Sequence, residues 1–244
     1  MEPHARPADD AQALGYRLAE VRREIAAAAA RAGRHASEVR IVAVTKTFGP
    51  SAVAAALAGG LADVGENYVQ EATAKRARVS AGTWHLIGSL QRRKAPAAVA
   101  AFDRIHTVDS APLAAALAAA ARAHGRRLPV LVQVNVAGDT AKHGVSPDDA
   151  PALCAALLAD DGLVLDGLMT IGPPVDDPER ARPVFRALRT LRDELARRLG
   201  VELPHLSMGM SDDFAVAVEE GATLVRLGRV LFGARRPGAW REGS

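Results

Sequence analysis

Apolar residues recur along this chain in two rhythms. Leu14, Leu18, Val21 and Ile25 are spaced by four, three and four positions, which predicts an opening amphipathic helix over about residues 8–32, stopping near Gly33. From Val39 onward, short runs of β-branched and small apolar residues alternate with longer Ala- and Leu-rich stretches. "VRIVAVT" precedes "PSAVAAALAGG", "LADVGE" precedes "NYVQEATAKRARV", "TWHLIG" precedes "LQRRKAPAAVAAF", and "RIHTVD" precedes "SAPLAAALAAAARAHG". "LPVLVQVNV" leads through a loop to "PDDAPALCAALLA", "LVLDGLMTI" to a helix through Leu199, and "LPHLSMG" to "SDDFAVAVEEG" before a last run, "ATLVRLG". Several runs are apolar without alternation, as strands buried on both faces must be. Eight strands, each followed by a helix or helical turn, predict an α/β fold, a single (β/α)8 TIM-type barrel over about residues 39–235. No Gly/Ser-rich linker divides residues 1–244, so one domain is expected.

Composition narrows the setting. With 244 residues, 49% of them hydrophobic, the chain can bury a sizeable core. Its one cysteine, Cys154, excludes an intrachain disulfide and suits a reducing compartment; in an apolar helical stretch it reads as a small buried hydrophobe. A start without a basic segment and the absence of a spanning apolar run predict a cytoplasmic protein with no membrane association. A net charge of only +3, dispersed basic residues and few aromatics argue against nucleic-acid binding. No His, Cys or acid spacing suggests a metal, and the absence of a second domain or long zipper favours a monomer.

The basic residues are distributed unevenly by type. Of 31, only Lys46, Lys75, Lys94 and Lys142 are lysines. Lys46 closes the first strand run, "IVAVTK", where an ammonium needs a partner or a chemical use; a side chain that snorkels outward is the plainer account. Only an amine, not a guanidinium, can be deprotonated near neutrality and attack a carbonyl. In a barrel of this kind chemistry gathers at the carboxyl ends of the strands. There the sequence places Lys46, then Gly65, Glu66 and Asn67, Trp84 and His85, Asn135, Met169 and Thr170, Ser207 to Ser211, and Arg226 to Arg229. Glycine-rich turns after strands seven and eight, "LSMGMS" and "VRLGRVLFGAR", suit a phosphate, so a phosphorylated carbonyl ligand is expected. Asp212 and Asp213 read as helix-capping acids, and Lys142 as a solvated rim lysine.

"AVTK", "GENYVQEA", "WHLIGSLQRRK", "GLMTI", "LSMGMSDD" and "VRLGRVLFGAR", in that order, resemble the signature segments of the pyridoxal 5′-phosphate (PLP) homeostasis protein family, over about Val39 to Arg235. The resemblance implies an alanine-racemase-type barrel (PLP fold type III) with PLP held as a Schiff base on Lys46. It implies Ser207 and the amides of Gly228 and Arg229 at the phosphate, Arg226 facing the pyridine nitrogen, and Asn67 beside the ring. This chain departs from the family in carrying Arg93 in place of Asn, and Arg229 where Thr is frequent. The implied role is to carry or buffer PLP and hand it to apo-enzymes, without robust catalysis. Arginine at the ring nitrogen weakens the electron sink, and a racemase's second domain is missing. A weak racemase or decarboxylase using Tyr68 or His85, with Tyr16 the only other tyrosine, is the first alternative; a cofactor-free Schiff-base aldolase is the second.

Overall fold

The computed structural model describes residues 7–139 and 142–234; Arg235, the last residue of the expected barrel, and His4 lie outside them. Helix α1 (Pro7–Arg31) opens the chain, followed by strands β1 (Arg40–Val44), β2 (Asp63–Glu66), β3 (Thr83–Leu86), β4 (Arg104–Val108), β5 (Leu128–Gln133), β6 (Leu163–Met169), β7 (His205–Ser207) and β8 (Leu224–Leu227). Between and after them run α2 (Pro50–Ala58), α3 (Val69–Arg76), α4 (Ala95–Ala101), α5 (Ala111–Ala123), α6 (Ala150–Leu158), α7 (Arg182–Leu199), α8 (Phe214–Glu219) and α9 (Arg229–Phe232). All neighbouring strands are parallel, and β8 pairs with β1 to close an eight-stranded barrel in sequence order.

The strand residues bury on both sides, which explains their unbroken apolar runs. Val42, Leu131, Met169 and Leu224 pack inside the barrel, whereas Trp84, Phe102, Phe185 and the Leu and Ala faces of the helices fill the layer around it. The expected stripe of α1 is buried at Leu14, Leu18, Val21 and Ile25, and the helix packs on α8 and α9. Cys154 is buried in α6, and burial pushes its thiol up to about 12, so it packs as an inert apolar group.

The ladders are shorter than the apolar runs. β7 keeps only three residues, because Pro204 has no N–H to give and Gly209 turns the chain at φ 90°. β5 stops at Gln133, after which Asn135 closes a loop on Asp139 through its own side chain. "LQRRKAPAAVAAF" divides into a 3₁₀ turn at Arg92–Lys94 and α4, with Pro96 in the first turn of α4. A step in the register of β5 against β6 falls near Gly167, where a Cβ would come within 1.9 Å of the His205 carbonyl oxygen. No described helix is long and apolar enough to cross a membrane.

Candidate functional site

Most of the expected residues do meet at the carboxyl ends of the strands. Lys46 follows β1, Asn67 follows β2, Ser207 ends β7, Arg226 lies in β8, and Gly228 and Arg229 start α9. Close backbone approaches fix several of them. A Cβ on Gly228 would sit 3.3 Å from the Val44 carbonyl oxygen, so the turn after β8 lies directly against the strand end that carries Lys46. A Cβ on Gly88 would fall 2.3 Å from the Asn67 carbonyl oxygen, which makes glycine obligatory beneath that loop.

Arg226 is buried, its guanidinium donating to Ser207 Oγ (2.7 Å) and to the Thr170 carbonyl (2.9 Å). Burial lowers it to about 10, which still leaves it charged at neutrality. Ser207 Oγ also lies 2.9 Å from His106 Nδ1; His106 Nε2 lies 2.8 Å from His85 Nδ1, and His85 Nε2 lies 2.8 Å from Asp63 Oδ1. Asp63 in turn accepts from Arg40 and lines a cavity of about 500 Å³ at the opposite, amino end of the barrel. Burial depresses both histidines, His106 strongly. The Asp63 carboxyl is pushed up by burial, but the His85 hydrogen bond and the charges beside it outweigh this and hold it low.

The two serines of this segment are placed differently. The Ser207 hydroxyl is enclosed between His106 and Arg226, beneath the guanidinium, whereas Ser211, four residues on, places its Oγ 3.2 Å from the Val230 amide at the start of α9. The serine hydroxyl beside the first N–H groups of α9 is therefore that of Ser211. The Arg229 side chain turns outward to pair with Asp212. Asp213 stands at the N-cap of α8 as expected, but its side chain makes no cap hydrogen bond there; its Oδ1 accepts the Met210 amide instead (2.6 Å). Lys142 is partly buried and donates to the Gly172 carbonyl (3.1 Å), tying two rim loops together. Arg93 is exposed. His85, considered as a second acid or base, has both nitrogens engaged inside the barrel, and Tyr68 is 58% exposed on the rim.

A second buried group had no separate signal in the sequence. Lys75, in α3, donates from Nζ to the Thr45 carbonyl (2.7 Å), Glu66 Oε1 (2.6 Å) and Glu71 Oε1 (2.7 Å). Thr45 Oγ1 also donates to Glu66 Oε1 (2.6 Å), while Glu66 Oε2 is buried with no partner. Burial raises Glu66 to about 7 against the pull of Lys75. An (i, i+4) acid and base are usually a solvated helix pair, so only burial by the strand turn distinguishes Lys75 from a surface lysine. Among the described residues, no group of three or more His, Cys, Asp or Glu is arranged to hold a metal ion.

The model of the alanine racemase N-terminal domain matches residues 17–236. A pyridoxal phosphate homeostasis protein of Aquifex aeolicus is 41% identical over 222 residues, covering 90% of this chain and 97% of the relative. The structure of PipY of Synechococcus elongatus, with PLP bound, superposes with a TM-score of 0.79 at 36% identity, covering 90% of this chain and all of that one. An alanine racemase of Clostridium difficile, at 15% identity and TM-score 0.69, shares the fold, and 84% of this chain covers 55% of that enzyme. With a relative this similar over nearly its whole length, the chain belongs to the pyridoxal phosphate homeostasis protein family, built on the alanine racemase N-terminal domain.

Proposed function

We propose that this protein binds PLP at the carboxyl end of its barrel, linked covalently to the Lys46 amine, and carries or buffers the cofactor for apo-enzymes without consuming substrates of its own. The residues suit such a ligand: an amine after β1, a donor-only guanidinium in the floor, and the first turn of α9 beside a serine hydroxyl. When bound, PLP would supply an aldehyde for an amine and an electron-withdrawing ring. Asn67 would lie beside that ring, and the amides of Gly228 and Arg229 with Ser211 would take the phosphate. Ser207, enclosed below, would support the site through Arg226.

The observation that carries this reading is the fixed Arg226. A guanidinium has only donors, so facing a ring nitrogen it keeps that nitrogen unprotonated, the state in which carbanion chemistry is least assisted. A carboxylate there would do the reverse. Arg226 cannot swing aside without leaving Ser207 Oγ and the Thr170 carbonyl. The PLP-bound PipY structure supports the ligand, and the relatives' name supports the role.

The test is an absorbance spectrum of the purified protein before and after borohydride, with mass mapping of the modified residue. A reducible band mapping to Lys46, lost in Lys46→Ala, is expected, together with PLP transfer to an apo-enzyme. An adduct on Lys75, Lys94 or Lys142 alone would refute the site. Turnover of any amino acid above about 1 s⁻¹ would refute the carrier role in favour of a weak racemase or decarboxylase.

A further inference from the structure

Lys46 occupies the second position of a tight turn that its sequence does not favour. Phe48 N–H donates to the Thr45 carbonyl (3.0 Å), closing a four-residue turn with Lys46 and Thr47 at its centre. Thr47 has φ 70°, and it is the only non-glycine residue with positive φ among those described. A positive φ at the third position is the mark of a type II turn, where glycine or asparagine is the normal occupant. A β-branched residue there is strained and persists only where its surroundings hold it.

The surroundings that hold it are the Lys75 cluster. Lys75 Nζ bonds the Thr45 carbonyl, the group immediately before Lys46, and Glu71 Oε1 accepts the Thr47 N–H (2.6 Å), the group immediately after it. Glu71 Oε1 and Lys75 Nζ are themselves joined, so one ion pair spans both ends of the Lys46 unit. Glu66 adds a further bond to the buried ammonium from β2, using one oxygen while the other is left unpartnered. An ion pair that served only to dock α3 on the barrel would have no need to bond backbone atoms on either side of one lysine.

We propose that Lys75, acting with Glu71 and Glu66, is a positioning residue for Lys46: it holds the strained Thr45–Phe48 turn in the shape that presents the Lys46 amine at the mouth of the barrel. This rests on Lys46 being the residue that carries PLP. Losing the clamp lets the turn relax and draws Lys46 from its place, while a glycine at position 47 makes the same turn without strain.

The experiment uses the full chain stripped of PLP, with PLP as the probe, comparing Lys75→Met, Glu71→Gln and each combined with Thr47→Gly. PLP binding is followed by absorbance and borohydride trapping, and the Thr47 and Phe48 amides by hydrogen exchange without PLP. Lys75→Met is expected to weaken PLP binding about tenfold or more, the scale of losing one charge-assisted bond, and to speed exchange at both amides. Adding Thr47→Gly should restore most of both. Glu71→Gln, which leaves the Lys75–Glu66 pair in place, gives a smaller change in the same direction and serves if Lys75→Met does not fold. Unchanged binding and exchange in a folded Lys75→Met or Glu71→Gln variant would overturn the proposal, and so would losses that Thr47→Gly does not repair. Trapping of PLP at a residue other than Lys46 would defeat the site assignment instead, whereas the exchange results in PLP-free protein would still read the clamp.

Discussion

Arg226 and Ser207 meet at 2.7 Å, and the direction of every hydrogen bond behind them is fixed from the far end of the barrel. Asp63, ionised, can only accept, so His85 carries its proton on Nε2 and accepts at Nδ1. His106 must then donate from Nε2 and accept at Nδ1, which directs the Ser207 proton to His106 and leaves Ser207 lone pairs for the donor-only guanidinium. Four side chains thus pass a single polarity from the amino end of the barrel to Arg226.

Removing that junction should be costly. Ser207→Ala leaves a donor of a buried guanidinium and the Nδ1 of His106 unpaired, which predicts a stability loss of roughly 1–3 kcal/mol in urea unfolding. A loss under about 0.5 kcal/mol would show that water or a rearranged Arg226 replaces the hydroxyl.

The two serines should separate in ligand selectivity. Ser211→Ala is expected to weaken PLP by about 1.5–3 kcal/mol, as for a lost charge-assisted contact, and to leave unphosphorylated pyridoxal nearly unaffected. Ser207→Ala, acting through Arg226, should weaken both. Equal effects of the two substitutions on both ligands, read by titration, would contradict this division.

Stability against pH should carry two opposed contributions. His85 and His106 are held below their usual value of about 6.5, so the unfolded chain takes up protons that the folded one refuses. Their contribution is fully present above about pH 6.5 and is lost as pH falls. That loss reaches about 1.4 kcal/mol at pH 5.5 for a histidine that stays neutral when folded. Glu66, raised to about 7, acts the other way: the folded protein keeps its proton, and stability declines as pH rises from about 4.5 to 7. Comparing urea midpoints at pH 7.5 and 5.5 in His106→Gln, which removes one titrating group, should show a smaller acid loss than in the parent. An identical pH dependence would mean that His106 is not neutral in the folded state.

Gly88→Ala tests the support of Asn67. With Asn67 backbone atoms 2.3 to 2.9 Å from the added carbon, the loop must move, at a cost of about 1–3 kcal/mol and with weakened PLP binding. A variant as stable as the parent, with unchanged binding, would show that the loop yields freely.

The strands and the strand-end residues could be read from the chain because each carries a local signal: an unbroken apolar run, a lone amine in "AVTK", glycines after the last strands. What lies inside the barrel could not. Asp63, His85 and His106 come from three strands, and periodicity says that a residue faces inward without saying which inward residue it meets. Lys75 was hidden differently, since Glu71 and Lys75 look like an ordinary helix-surface pair until the turn after β1 is folded over them. Ser207 is singled out in a short segment that also holds Ser211, and only the register of β7 decides which hydroxyl is enclosed.

The packing of α1 against α8 and α9 also shapes how the protein is made. Arg34, just beyond α1, donates to the Val218 and Ala222 carbonyls across 184 and 188 residues, and β1 waits for β8. At about 5–20 residues per second, synthesis delivers those partners roughly 10–40 s after α1. Through that interval the stripe of Leu14, Leu18, Val21 and Ile25 has only the early elements around α2 to pack on, and the side that α8 and α9 will cover stays open until the ring closes.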